Sequence, residues 1–125
     1  MNDREDTLRA YNKGELIFTS NGKWLYPLFE LERFLEARNF AVEDLYVEDD
    51  IVGKASALLI CRMGIRKVLA GILSKPAESV FRNAGVEYDF REKVKRILCQ
   101  TEELLAEIDD PERAFMILKE RAQLG

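Results

Sequence analysis

Residues 49–76 read DDIVGKASALLICRMGIRKVLAGILSKP, and the parsing of this stretch decides the fold. From Ile51 to Cys61 the residues are apolar nearly all the way round at helical spacing. A helix over about 52–63 is therefore surrounded by protein rather than laid on a surface. RKVLAGILS, 66–74, is a continuous apolar run of the kind that makes a strand buried on both faces. Pro76 can open the next helix, which Gly85 is placed to end. DLYVE at 44–48 reads as a strand before this unit and VEYDF at 86–90 as one after it. A β-α-β-α-β order implies parallel strands joined by right-handed crossovers.

Working outward, residues 3–13 read as a short helix, with Leu8 and Tyr11 three apart and Gly14 at its end. ELIFTSNGKWLY then gives strands at about 15–19 and 23–26, with Asn21-Gly22 as the hairpin turn. Pro27 starts a helix to about 38 that carries Leu28, Leu31, Phe34 and Leu35 on one face. Toward the other end, Val94, Ile97, Leu98, Thr101, Leu104, Leu105 and Ile108 predict one amphipathic helix over 91–108. Asp110-Pro111-Glu112 is a compact start for a last helix, 111–123. The expectation is a single α/β domain over residues 1–125, a three-layer α/β/α sandwich with a mixed sheet of about five strands.

Composition narrows the chemistry. The 125 residues are 47% apolar and 34% charged, enough for one core and a solvated surface. There is no 18-residue apolar run, and the first residues, MNDREDTLRA, are charged, so the expectation is a cytoplasmic protein without a membrane span. A net charge of −4 argues against a duplex nucleic-acid partner. The chain has no histidine, which removes His-based catalysis and His-ligated metal sites. Two isolated cysteines, Cys61 and Cys99, do not make a zinc site. No cofactor is expected, although a Mg²⁺ site of carboxylate and phosphate oxygens stays open.

The polar residues of the central helix gather at its start: Asp49, Asp50, Lys54 and Ser56. A helix N-terminus presents unpaired N–H groups and the positive end of the dipole, which suits an anion. Gly53 lets a ligand come close to the backbone, Lys54 can pair with phosphate, and Ser56 can donate a hydrogen bond. The plainer reading makes Asp50 a cap, Gly53 a packing residue and Lys54 a surface lysine. Ser74 and Lys75 lie at the carboxyl end of a buried strand, where open α/β sheets bind ligands; Ser74 is equally an ordinary helix cap. Cys61 reads as a small buried hydrophobe. On a continuous 91–108 helix Cys99 would be an exposed thiol beside Lys95 and Glu103, and a candidate for reactivity.

The helix–strand–helix unit resembles the cytidine deaminase-like fold, over residues 1–90. Zinc deaminases place H-x-E at one helix start and P-C-x-x-C at the next. Here Lys54-Ala55-Ser56 stands in the first position and PAESV, 76–80, in the second, with Ala77 and Val80 where the cysteines would be. The whole chain is identified as a member of a small uncharacterised prokaryotic family with that fold. The pattern D-x-V-G-K-A-x-A-x-L at 50–59 carries this, and Cys99-Gln100-Thr101-Glu102 stands where the family has C-P-M-E. The resemblance implies a metal-free pocket for a nucleotide or related phosphorylated metabolite, without zinc deaminase activity. Asp50, Gly53, Lys54, Ser56, Ser74 and Lys75 would line it. Two alternatives stand beside this: an enzyme using Lys54 or a cysteine covalently, and a structural protein dimerising through its C-terminal helices.

Overall fold

The computed structural model describes residues 6–97 and 100–122. Its sheet has five strands in the order β2-β1-β3-β4-β5. β1 (Leu8–Asn12) is antiparallel to both β2 (Glu15–Ser20) and β3 (Leu45–Val52), whereas β3, β4 (Lys67–Ser74) and β5 (Glu87–Val94) run parallel. The expected mixed sheet is therefore present, and the bounds of β4 match the sequence reading to within a residue at its start, although one face of the strand, at Leu69 and Gly71, is only partly buried where full burial on both faces was expected.

Segment 3–13 is not helical where it is described. Leu8 and Ala10 are buried on one face of β1, while Arg9 and Tyr11 lie on the other. That is the period of a strand, and one i,i+3 apolar pair was too little to establish a helix. The hairpin turn is Lys13-Gly14, with φ of 52° and 84°, not Asn21-Gly22. Residues 23–26 form no strand. Leu25 is buried at the start of α1 (Tyr26–Glu36), whose first turn holds Pro27 as expected.

α2 (Lys54–Arg62) is buried from Lys54 to Ile60, which is why its sequence shows almost no polar stripe. α3 (Lys75–Ala84) is capped by Ser74, whose hydroxyl accepts the Ala77 N–H at 3.2 Å, and stops at Gly85 with φ 72°. The single helix expected over 91–108 is not formed. Residues up to Val94 extend β5, where Glu92 and Lys93 pair with Ile72 and Leu73. The helical part is α4 (Gln100–Leu104), which buries Thr101; Leu105, just beyond it, is buried too. α5 (Pro111–Ala122) begins as the sequence indicates, with Asp110 Oδ2 accepting the Arg113 N–H at 3.1 Å.

The described helices form one connected layer. α2 packs on α3 and α5. Phe29 of α1 meets Phe115 of α5 with ring centroids 6.0 Å apart. Arg62 ties three helices together: it pairs with Glu32 of α1, with Glu112 of α5 at 3.1 Å, and stacks 3.5 Å over Phe115. They cover the sheet face that carries Leu8, Ala10, Val47 and Val68. The opposite face presents Arg9, Tyr11, Tyr46, Glu48 and Leu69. Two layers, not the expected three, are thus built from the described residues. No described helix is long and apolar enough to cross a membrane.

The carboxyl-terminal halves of β3 and β4 change phase together. Burial alternates through Leu45 and Val47 and then resumes at Val52; in β4 it runs through Val68 and Ala70 and resumes at Leu73. The shift brings Leu73 and Val52 onto the helical side directly before α2 and α3 begin. It also delivers the starts of both helices to one end of the sheet.

Candidate functional site

The start of α2 is closed by the chain's own C-terminal segment. Gly53, the residue before the helix, has no side chain to cap it. Glu102 does so from 48 residues away in sequence: its Oε2 accepts the Lys54 N–H at 2.7 Å and the Ala55 N–H at 3.4 Å. An anion does occupy this helix N-terminus, as the dipole favours, and it is a carboxylate of the protein. Burial raises the Glu102 pKa above the usual carboxylate value, and the two N–H groups and Lys54 offset this only in part.

Gly53 is required for the approach. A Cβ there would stand 2.7 Å from Glu102 Oε2. Its φ of −95° is open to any residue, so the constraint is contact and not backbone strain. Gly53→Ala is expected to push the carboxylate off the helix, costing about 1 kcal/mol as a lost cap. Stiffening of the unfolded chain offsets part of that. In a thermal melt, Gly53→Ala combined with Glu102→Ala should lose little more than Glu102→Ala alone; simple additivity would show that the two residues act separately.

Lys54 is 7% exposed. Its Nζ donates to the Ala106 carbonyl at 3.1 Å and pairs with Asp109 at 2.9 Å. The backbone of Lys54 is thus held by one acid of the 100–110 segment and its side chain by another.

Two cavities flank this point. One, of about 220 Å³, is lined by Trp24, Leu25, Ile51, Gly53, Ala55, Ser56, Ile97, Thr101 and Glu102. It joins an aromatic wall to two hydroxyls and the capping carboxyl. Trp24 holds φ at 58°, a left-handed conformation that is rare for a bulky residue, and is 41% exposed. The other, of about 310 Å³, runs between α2, α3 and the start of α5, with Lys54, Cys61, Ser79, Asn83 and Asp109 in its walls.

The expected site residues are therefore distributed. Gly53 and Ser56 line the first cavity and Lys54 the second. Asp50 is on the opposite side of the sheet from the helices and pairs with Arg9 at 3.2 Å. Arg9 is buried, which lowers its pKa, but bonds to Glu48, Asp6 and Asp50 more than compensate and keep it charged. Ser74 is fully buried in its capping role and Lys75 is exposed; neither lines these two cavities. Burial pushes the Cys61 thiol up to about 11, which suppresses the thiolate a nucleophile needs. Cys99 lies outside the described residues.

Sequence reasoning missed Glu102 and Trp24 as site residues. Glu102 matched the last position of C-P-M-E, yet nothing local indicates which helix a carboxylate will cap. Trp24 fell within a stretch expected to be a strand, and its φ has no sequence signal. The positions aligned with zinc ligands hold Lys54, Ala77 and Val80, which do not make a zinc donor set, and Ser56 stands where the catalytic glutamate would be. Among the described residues no three His, Cys, Asp or Glu are grouped to hold a metal.

These features define a small α/β domain with a five-stranded mixed sheet and a self-capped helix start at one sheet end. The chain belongs to the TM1506 family, a domain of unknown function (DUF1893), whose model matches residues 2–122. It is similar to the crystal structure of a DUF1893 family protein (TM1506) from Thermotoga maritima, with 32% identity and a TM-score of 0.83, over 93% of this chain and 80% of that one. No curated protein matches.

Proposed function

We propose that this DUF1893 domain binds a nucleobase-bearing small molecule, a nucleoside or nucleotide, in the Trp24–Glu102 cavity, on a deaminase-type fold that does no zinc chemistry. The observation that carries this is the meeting of an exposed indole with a half-buried carboxyl in one cavity. An aromatic face stacks on any base, and a carboxyl pairs with ring N–H and amino groups. The Lys54 and Ala55 N–H groups both donate to Oε2, so a ligand would meet Oε1. The strand order and the two helix starts at the carboxyl ends of β3 and β4 support the deaminase-type reading.

Glu102 changes what the sequence led us to expect. It already supplies the negative charge that the α2 N–H groups favour, so the base end of the ligand belongs here and not the phosphate. A volume of about 220 Å³ suits a base rather than a whole nucleotide, since pockets for drug-sized ligands begin at roughly 300 Å³.

Trp24 is the sole tryptophan and reports on its own cavity. Titration with adenosine, guanosine, cytidine and uridine should quench its fluorescence saturably with at least one of them. Glu102→Gln should weaken that nucleoside about tenfold or more, the scale of one hydrogen bond to a charged group. Absence of saturable quenching with all four would sink the proposal.

A further inference from the structure

We infer that the groove between α2, α3 and α5 is a second site, for small molecules with an oxyanion head, and that Asp109 is a displaceable stand-in for that head. This does not rest on the nucleobase reading, because no residue lines both cavities. Its anchor is Lys54, a buried cation that needs a counter-charge close by. The structure supplies one from an unusual place. The Asp109 side chain is 87% exposed, on the short link between α4 and α5, and reaches in to Nζ at 2.9 Å.

An ion pair with so exposed a partner is weak, since water and side-chain entropy compete with it. A free carboxylate or phosphomonoester reaching Nζ would meet Asp109 on nearly even terms. It would then gain what Asp109 does not use: the apolar walls at Leu58 and Val80, and the Ser79 hydroxyl and Asn83 amide, which can donate to a second polar group. The cavity of about 310 Å³ has room for a short body behind the head. The Ala106 carbonyl, 3.1 Å from Nζ, would hold the ammonium in place during the exchange.

The test is a pair of titrations of the ¹⁵N-labelled full chain, one with inorganic phosphate and one with butyrate, at ionic strength held constant with NaCl. Saturable amide shifts are expected at Leu58, Ser79, Val80 and Asn83. The tighter probe identifies the head as phosphomonoester or carboxylate. Asp109→Asn should tighten that probe by about two- to fivefold, the range an exposed ion pair spans. Lys54→Met should abolish the shifts. If Lys54→Met fails to fold, Asp109→Asn decides, because so exposed a residue can be changed without disturbing the core. No saturable shifts with either probe, or an affinity unmoved by Asp109→Asn, would overturn the inference.

Discussion

Gly71→Ala is expected to destabilise the domain by about 3 kcal/mol or more, the upper range for overpacking. A Cβ at this position would stand 2.5 Å from the Asp50 carbonyl oxygen and 3.2 Å from its carbonyl carbon. The obstacle is backbone of the neighbouring parallel strand, inside a sheet where β4 is paired on both sides. It cannot swing aside as a flexible side chain can. The contact falls where β3 and β4 change phase, between Ala70 and Leu73 on one strand and Val47 and Val52 on the other. Parting the strands here would move the starts of α2 and α3 and both cavities with them. The comparison that isolates the cause is Gly53→Ala: the same change of residue, but facing the mobile end of Glu102 at 2.7 Å. Denaturant midpoints should fall far more for Gly71→Ala. Equal shifts would mean that the strands separate cheaply, and that the phase change does not depend on glycine.

The parts of the fold that could be read from the sequence were those in which one local period dominates. β4 is a continuous run of apolar residues, and α2 is apolar nearly all round, so their types follow from composition alone. α3 and α5 carry their own punctuation in Ser74, Gly85 and Asp110-Pro111. Where two periods fitted the same letters, the wrong one was chosen. Leu8 and Tyr11 suggested a helix, yet pairing of β1 with strands on both sides fixed period two. Val94 completed a helical stripe on paper but lies in β5 opposite Ser74. Asn21-Gly22 is a strong hairpin dipeptide, but Leu25 is buried at the α1 start and leaves no second strand to pair. For the candidate site, Gly53, Lys54 and Ser56 were legible because helix starts have a local signature. Their partners Glu102, Ala106 and Asp109 were not, since only tertiary folding brings residues some 50 positions away to that helix.

Asp49 was grouped in the sequence with Asp50 as a helix-start acid, and the two have opposite fates. Asp50 remains half exposed beside Arg9. Asp49 lies on the helical face of the sheet, opposite Leu8 and Ala70. Burial first, and the neighbouring Asp50 charge second, push its pKa from the ordinary 3.8 up to about 7; bonds from the Ile51 and Asp50 N–H groups and the charge on Arg9 offset only part of this. In the unfolded chain Asp49 releases its proton near its ordinary value, while the folded protein holds it until about pH 7. Between those values the folded state binds more protons, so stability from this group is full at low pH and falls as pH rises through the window. With each tenfold worth about 1.4 kcal/mol, the loss is on the order of 4 kcal/mol by pH 8. Asp49→Asn has no proton to lose and keeps an oxygen to accept the backbone N–H groups. The difference between variant and wild type should be near zero at pH 4, grow toward pH 7, and level off above it with the variant more stable. Denaturant midpoints at pH 4, 6 and 8 measure that difference directly. A constant offset at all three would mean that Asp49 titrates normally in the folded state, and that its carboxylate is solvated at the sheet end where α2 begins.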